Sequence, residues 1–321
     1  MTNTKATMSQ ASIDDTFANF DNNNNSIENS SDECILDSFR YIGGRRFHNV
    51  LDAKYFLPND NGEVDRLEGQ HFLYRHIWQG NFSAPVTQRL QQPGACVLDV
   101  GCGPGSWILE MSCDFPSAIF VGLDISPIFP PEQKKPPNAT FLQANLLDGL
   151  PFPDGTFDFV YQRFMSSALE ESQWRDEVIA ELVRVIKPGG WIELMELDVV
   201  CTEDTNAPTY QRFNRSLMDF LADRGINGLI SSKLKGYLES TKQLTNIQCE
   251  ERSTRIGQWG GRLGEMMCVD LLEGVAACKP ALSQFMNITY DEFDSMLQTV
   301  RMEVDSSQFC YKTHRFYAQK I

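Results

Sequence analysis

The stretch that decides the fold is residues 97–106, which read VLDVGCGPGS. An apolar strand carrying Asp99 runs into three alternating glycines, Gly101, Gly103 and Gly105, and a helical segment follows. Glycine allows a tight turn and lets the backbone approach a ligand closely. The N-terminus of the following helix adds free N–H groups and a partial positive charge. The stretch therefore predicts a ligand-binding turn between a strand and a helix, in preference to a mere connection.

Around this turn, short apolar segments alternate with helical ones. Strands are predicted over residues 95–100, 119–123, 140–143, 157–161 and 191–196, and helices over 106–113 and 170–186, the second ending at the Pro-Gly-Gly of 188–190. Strands that alternate with helices pair in parallel and carry helices on both faces. The predicted fold class is therefore α/β, with a Rossmann-like, doubly wound and mainly parallel sheet.

Two kinds of nucleotide ligand suit such a turn. The dinucleotide fingerprint G-x-G-x-x-G needs its third glycine at position 106, which is Ser106, so the match to NAD-binding proteins is imperfect. Asp124 follows the second strand, where a carboxylate accepts hydrogen bonds from both hydroxyls of a ribose. That geometry serves NAD equally, and an Asp at a strand end is also a common helix cap. Asp124 alone does not choose between these ligands.

The form D-x-G-x-G-x-G, present at residues 99–105, resembles the class I S-adenosylmethionine (SAM)-dependent methyltransferases. Two further segments strengthen the resemblance, LPFPDGTFD at 150–158 and KPGGW at 187–191. The similarity covers residues 93–198. It implies a seven-stranded sheet and SAM as the cofactor.

The resemblance also implies which residues bind SAM. In this family the glycine loop passes under the methionine part, the residue at the Asp99 position fixes the loop, and an acid at the Asp124 position binds the ribose. The residue at the Asn145 position, usually Asp, binds the adenine amino group, although Asn145 also suits an Asx turn. The predicted cofactor-binding set is Asp99, Gly101, Cys102, Gly103, Gly105, Asp124, Ile125, Asn145, Leu146 and Gln162. Arg163 either faces the same cleft or pairs with a surface acid.

The flanks of the core resemble a narrower group, the LaeA-like methyltransferases of filamentous fungi. The similarity lies in YFLPND at residues 55–60 and DRLEGQH at 65–71. A helix predicted over 64–79 would then cover the cofactor. Four of its side chains would border the site, namely Asp65, Gln70, His71 and Tyr74, although His71 and Tyr74 are equally well explained as core residues.

The sequence predicts four regions in the chain. Residues 1–37 form a disordered polar tail, 38–92 an N-terminal helical cover, 93–198 the SAM-binding core, and 199–321 a lid of helices with a sixth strand at 246–256 and a closing edge strand at 308–318. The lid would exclude water and order the acceptor. Met266, Met267 and Leu271 either line an apolar pocket there or belong to an ordinary core.

Methyl transfer from a sulfonium needs alignment more than it needs acid–base groups. A general base is required only if the nucleophile arrives protonated. On placement alone the candidates are His71, Tyr161 and Glu196, the last being equally suited to a structural role. Cys102 is interpreted as a small packing residue within the loop. The nine cysteines include no C-x-x-C pair, so no metal site is predicted.

Composition narrows the possible partners. The chain has 321 residues and a formal net charge of −15, which argues against nucleic acid as a ligand. It has no run of 18 apolar residues, so no membrane partner is predicted. Unpaired cysteines suit the reducing cytosol or nucleus, and the sequence does not choose between the two.

Four functions remain open at this stage. The first is methylation of a small-molecule acceptor that no motif identifies. The second is a SAM-binding regulatory protein of LaeA-like type, which acts through a protein partner with little or no turnover. The third is an NAD-dependent oxidoreductase, disfavoured by Ser106. The fourth is aminopropyl transfer, which normally requires an acidic pair where this chain has residues 161–163, Tyr-Gln-Arg.

Overall fold

The computed structural model describes residues 39–50, 53–201 and 207–321. The predicted polar tail, 1–37, lies outside these residues. The strands are β1 (Phe39–Ile42), β2 (Arg45–His48), β3 (Cys96–Val100), β4 (Ile119–Asp124), β5 (Ala139–Gln143), β6 (Phe157–Arg163), β7 (Ile186–Leu197), β8 (Leu244–Ile256) and β9 (Phe309–Lys320). Seven of them form one sheet in the order β5-β4-β3-β6-β7-β9-β8. Neighbouring strands from β5 to β7 are parallel, and β9 is antiparallel to β7 and β8. The predicted Rossmann-like fold class is confirmed.

The central strand β3 is buried along its whole length. Its Asp99 lies opposite Gly122 of β4 and Tyr161 of β6. A strand that is apolar on both faces is typical of a parallel sheet covered by helices. The carboxyl ends of β3, β4 and β6 therefore meet at one edge, where ligands of open α/β sheets bind.

Helices surround and extend this sheet. They are α1 (Asn61–Trp78), α2 (Thr87–Leu90), α3 (Ser106–Asp114), α4 (Glu171–Gln173), α5 (Ile179–Val185), α6 (Pro208–Asp223), α7 (Ser231–Ser240), α8 (Gly261–Ala277), α9 (Lys279–Met286) and α10 (Tyr290–Ser306), with a π-helical turn, Trp174–Val178, between α4 and α5. Helix α1 begins before the predicted residue 64 because the Asp60 side chain accepts the N–H of Glu63. A capping box formed by Thr289 and Glu292 is present at the start of α10.

One predicted strand boundary and one predicted strand position are wrong. Strand β7 begins at Ile186 and not at 191, because Ile186 already pairs with Phe157, and the helix predicted over 170–186 accordingly ends at Val185. The segment predicted as a closing edge strand, 308–318, lies inside the sheet as β9, and β8 is the edge. Strand β8 pairs only with β9 among the described strands, and most of its side chains are at least partly exposed, as expected of an edge.

A second hydrophobic cluster lies beyond the carboxyl end of the sheet. It joins residues 56–78 of the N-terminal region to α6, α8, α9 and α10, with Met195 at the end of β7 as a contact to the sheet. The N-terminal region also contains the β1–β2 hairpin, which the sequence did not indicate. Across the described ranges, no helix combines the length and the apolar content that a membrane crossing requires.

Candidate functional site

A cavity of about 420 Å³ opens at the carboxyl edge of the sheet. We call it the strand-end cavity. Seven of the ten predicted cofactor-binding residues line it: Gly101, Cys102, Gly103, Asp124, Ile125, Asn145 and Leu146. The other three, Asp99, Gly105 and Gln162, do not line it. The structure therefore brings most of the predicted set together around one space of the size expected for a small ligand.

The glycine loop is shaped by contacts that exclude a side chain. Gly101 and Gly105 have φ values of +73° and +79°. A Cβ at Gly101 would lie 2.5 Å from the sulfur of Met165, and one at Gly105 would lie 2.4 Å from the ring of Phe141. The conformation and the close packing both require glycine. Gly105 therefore allows the loop to adopt its conformation against Phe141, although it does not line the cavity.

Asp124 holds the loop and lines the cavity at the same time. Its carboxylate accepts the N–H of Gly103 and the N–H of Ser126, each at 2.8 Å. Burial raises the pKa of this carboxyl group, and the two N–H groups oppose the rise. Asp99 is buried behind the loop, and burial raises its pKa to about 7 against the opposing charge of Arg163.

Asn145 and Gln162 differ in their placement. The Asn145 side chain accepts the N–H of Leu147 at 3.2 Å, so it forms the Asx turn and also lines the strand-end cavity. Gln162 is fully buried, and within the described part of the chain its amide atoms have no hydrogen-bond partner. Its neighbour Arg163 does line the cavity.

His71 connects Arg163 to a carboxylate. Its Nδ1 lies 3.3 Å from Nη1 of Arg163 and its Nε2 lies 2.8 Å from Oε2 of Glu110. Because arginine only donates, Nδ1 is the acceptor and Nε2 carries the proton that is donated to Glu110. Burial, together with the charge of Arg163, lowers the pKa of His71 to about 4. His71 is therefore a neutral group that orients Arg163.

The other two base candidates are also away from the cavity walls. Tyr161 is buried against Trp107, with ring centroids 4.2 Å apart, and burial raises its pKa to about 12. Glu196 accepts the N–H groups of Met165 and Ser166 at 2.8 and 3.0 Å, and burial raises its pKa to about 8. None of His71, Tyr161 and Glu196 lines the strand-end cavity or the neighbouring cavity described next.

A second cavity, of about 160 Å³, adjoins the first. We call it the helix-walled cavity, since α1, α6 and α8 form most of its wall. Four residues line both cavities: Tyr55, Leu67, Gln70 and Phe164. The remaining wall is rich in aromatic rings, among them Phe56, Tyr74, Tyr210, Phe213 and Tyr311. The two cavities are therefore adjacent, and we call the four residues that line both of them their shared wall.

The charged residues that line the helix-walled cavity, within the described chain, are Arg66 and Asp270. Nη1 of Arg66 donates to Asp270 at 3.1 Å, and its other nitrogens donate to Glu63 at 2.6 and 3.0 Å. Gln70 also donates to Asp270, at 3.1 and 3.2 Å. These bonds tie the N-terminal helix α1 to α8.

The helix-walled cavity was predictable from the sequence in part. Met267 and Leu271 line it, as one of the two interpretations of these residues implied, whereas Met266 is 49% exposed on the outer side of α8. Of the α1 side chains expected to border the cofactor, Gln70 lines both cavities, Tyr74 lines only the helix-walled cavity, and Asp65 and His71 line neither. Asp270 was not predicted. A signal was present, because Asp270 shares the apolar helix face of Met267 and Leu271, where an acid needs a partner.

Part of the chain matches a known family model. Residues 97–190 match the family model of a methyltransferase domain. The methyltransferase domain that the glycine loop predicts is thereby confirmed over this segment. This match covers the cofactor side of the molecule and leaves the flanking regions outside it.

Several curated proteins are similar to the chain. N-methyltransferase verN of Clonostachys rogersoniana is 35% identical over 145 residues, which are 44% of this chain and 50% of that protein. N-methyltransferase tcpN of Claviceps purpurea is 36% identical over 151 residues, 45% of this chain and 52% of that protein. The secondary metabolism regulator laeA of Coprinopsis cinerea is 34% identical over 159 residues, 48% of this chain and 38% of that protein. The chain spans about half the length or less of these relatives.

Proposed function

We propose that this protein transfers the methyl group of SAM to a small-molecule acceptor bound in the helix-walled cavity. The observation that carries the proposal is the wall that the two cavities share, formed by Tyr55, Leu67, Gln70 and Phe164. Because the two cavities adjoin at these residues, a methyl donor in one cavity and an acceptor in the other would lie next to each other. Such juxtaposition is the main requirement of methyl transfer, which is an in-line displacement.

The residues of the strand-end cavity fit SAM. Gly101 and Gly103 leave room for the methionine part at a loop where a side chain would be strained or would clash. Asp124 presents a half-buried carboxylate to the cavity, as two ribose hydroxyls require. Asn145 and Leu146 would border the adenine. Gln162 does not line the cavity and, among the described residues, is buried without a hydrogen-bond partner, so it would act only through its neighbours.

When bound, SAM supplies a methyl group already activated by the positive charge on its sulfur. The chain therefore has to hold the acceptor in line and exclude water. The apolar wall of the helix-walled cavity serves both purposes. Arg163 is held at the strand-end cavity by His71 and Glu110, which gives it a fixed position for a negatively charged group.

We infer a nitrogen atom as the acceptor. No histidine lines either cavity within the described chain, the three base candidates lie elsewhere, and the one carboxylate of the helix-walled cavity, Asp270, is hydrogen-bonded to Arg66 and Gln70, which makes it too weak a base for an alcohol. A neutral amine has an available lone pair and needs no deprotonation before it attacks, unlike an alcohol. The names of two relatives, both N-methyltransferases, support this assignment.

The second candidate is a SAM-binding regulator that acts through a protein partner with little turnover. The name of the Coprinopsis cinerea relative, a regulator of secondary metabolism, favours it. The helix-walled cavity, with its aromatic lining, favours catalysis, because a purely regulatory protein has no need of a second ligand site beside the cofactor.

Calorimetry with SAM, S-adenosylhomocysteine and NAD tests the cofactor. We expect micromolar binding of the first two and none of NAD. Asp124→Ala should weaken binding about a hundredfold, because charge-assisted hydrogen bonds contribute about 1.5–3 kcal/mol. Asp154→Ala, whose side chain is 80% exposed, is the matched control and should bind normally.

Turnover then separates the two candidates. The full chain is incubated with SAM labelled in its methyl group and a panel of small amines, and the label is followed into product. Labelled product that disappears in Asp124→Ala supports the enzyme. Tight SAM binding with no transfer to any acceptor supports the regulator, and a folded protein that binds no SAM contradicts both.

A further inference from the structure

We propose that Asp270 binds the nitrogen of the acceptor, and that the acceptor is a predominantly apolar, aromatic amine. The inference rests on the proposed function and adds the chemical class of the substrate and the residue that selects it. Three observations support the inference: the hydrogen bonds of Asp270, the excess of negative charge around this residue, and the aromatic rings of the cavity wall.

Asp270 lies on α8 and lines the helix-walled cavity. Its side chain is only 13% exposed. Oδ1 accepts hydrogen bonds from both Arg66 and Gln70, at 3.1 Å each, while the one donor to Oδ2 in the described part of the chain is Gln70, at 3.2 Å. A carboxylate has about four acceptor positions. Oδ2 therefore retains capacity for a donor that enters the cavity.

The charges around Asp270 do not balance. Arg66 is shared between Asp270 and Glu63, so two carboxylates face one guanidinium. Of the cations that line the strand-end cavity, Lys54 is paired with Glu170 at 2.9 Å, and Arg163 is oriented by the neutral His71 and has no hydrogen bond to Asp270 among the described residues. A surplus negative charge in an apolar space is costly unless a cation or a strong N–H donor joins it. A protonated amine supplies the cation, and a neutral amine supplies the N–H donor.

The cavity wall favours the same ligand independently. Tyr55, Tyr74, Phe164 and Tyr311 are among its rings. The face of an aromatic ring carries partial negative charge and attracts cations, particularly where water is excluded. The rings also accommodate the apolar part of the ligand. An acceptor with a carboxylate would instead be repelled by Asp270.

An amine that arrives protonated can be prepared by the same residue. One proton moves from the ammonium nitrogen to Oδ2 of Asp270, which leaves a neutral carboxylic acid and an amine with a free lone pair. Burial raises the pKa of Asp270, so its carboxylate is a better proton acceptor than an exposed one. The nitrogen then forms its bond to the methyl carbon as the carbon–sulfur bond breaks and sulfur keeps the electron pair.

The test uses three probes of nearly equal shape: 2-phenylethylamine, 2-phenylethanol and 3-phenylpropionate. Their binding to the full chain is measured by calorimetry, with and without saturating S-adenosylhomocysteine. We expect the amine to bind about tenfold or more tightly than the alcohol, and the carboxylate more weakly than either. An order in which the amine has no advantage overturns the proposal without any variant.

Asp270→Asn keeps the size of the side chain and removes its charge. We expect the preference for the amine to fall to about twofold, while S-adenosylhomocysteine still binds. Glu273→Gln changes the same charge on an exposed part of α8 and should keep the full preference. A tenfold preference that persists in Asp270→Asn contradicts the assignment.

Two readouts separate this inference from the proposed function. If the amine preference is present but SAM neither binds nor donates its methyl group, the proposed function fails and the amine site stands. If SAM binds and methyl groups pass to alcohols as readily as to amines, the proposed function stands and the assignment of Asp270 fails.

Discussion

The strand-end cavity and the helix-walled cavity share a wall, but they differ in how far apart in the sequence their lining residues lie. The first is lined mainly by short segments that each follow a strand, such as 100–106, 123–126 and 144–148. The second joins residues that are distant in sequence, with Arg66 and Asp270 204 positions apart. The first is formed largely by backbone and glycine, and the second by side chains.

This difference indicates which properties belong to the class and which to this chain. A backbone loop with a fixed shape suits a cofactor common to many enzymes. A wall of side chains from separate helices can change with few substitutions, and therefore suits an acceptor that differs between relatives. Four predictions test the contrast, in order of decreasing expected effect, with the effect of pH taken per pH unit.

Replacing Arg66 with Met should damage the helix-walled cavity most. The change leaves Glu63 and Asp270 as buried carboxylates without their shared partner. We expect the free energy of unfolding at pH 7 to fall by about 4 kcal/mol in urea titrations. Arg75→Met on the same helix, with its side chain 48% exposed, should cost less than about 1 kcal/mol. Equal losses would show that the buried cluster has no special importance.

Gly105→Ala tests the backbone of the strand-end cavity. The new Cβ would require a left-handed backbone and would overlap Phe141. We expect a loss of about 3 kcal/mol in the free energy of unfolding, from about 1–2 for the conformation and 1–3 for overpacking. Gly69→Ala, in the middle of α1 with open space around it, should instead stabilise the protein by about 0.5–1 kcal/mol. Tolerance of Gly105→Ala would contradict the role assigned to the loop.

Glu196→Gln tests how the stability of the segment beside the shared wall depends on pH. Glu196 accepts the N–H groups of Met165 and Ser166, which follow Phe164 of that wall. Burial raises the pKa of Glu196 from 4.5 to about 8, so the folded protein binds a proton that the unfolded chain releases. This contribution to stability is full below pH 4.5 and is lost as the pH rises to 8. The wild type should therefore lose up to about 1.4 kcal/mol per pH unit relative to the variant across this window. Parallel stability curves from pH 5 to 8 would refute the shifted pKa.

Asn145→Asp should give the smallest effect. The resemblance to SAM-dependent methyltransferases implies an Asp at this position, and its oxygen can still accept the N–H of Leu147. We expect SAM to bind about threefold more tightly, or about 0.6 kcal/mol, as measured by calorimetry. A much weaker affinity would place the adenine elsewhere in the strand-end cavity.

The sequence predicted the parts of the fold that depend on local order. The glycine loop, the central parallel strands and the cofactor class follow from residues 95–198, because turn chemistry and apolar runs are local signals. The position of β9 inside the sheet does not, since it depends on pairing with β7 and β8 over long distances in the chain.

The candidate site was predictable to a similar extent. Residues that follow strand ends were predicted to lie around one cavity, and most of them do. The sequence did not predict whether a given side chain points into that cavity or away from it. Tyr161 lies near the carboxyl end of β6, as predicted, but its ring stacks against Trp107 and does not line the cavity. Asp270 gave only the weak signal of an acid on an apolar helix face, and its partner Arg66 is identified only once α1 and α8 are packed together.

The internal position of β9 has a consequence for synthesis on the ribosome. Residues 191–197 of β7 pair with residues 313–319 of β9, so the nascent chain carries an unpaired strand edge until that last segment has emerged. Open edges recruit strands from other chains, and distant pairings form slowly. The half of the sheet that carries the glycine loop is therefore synthesised early but remains exposed to aggregation until β9 inserts beside it.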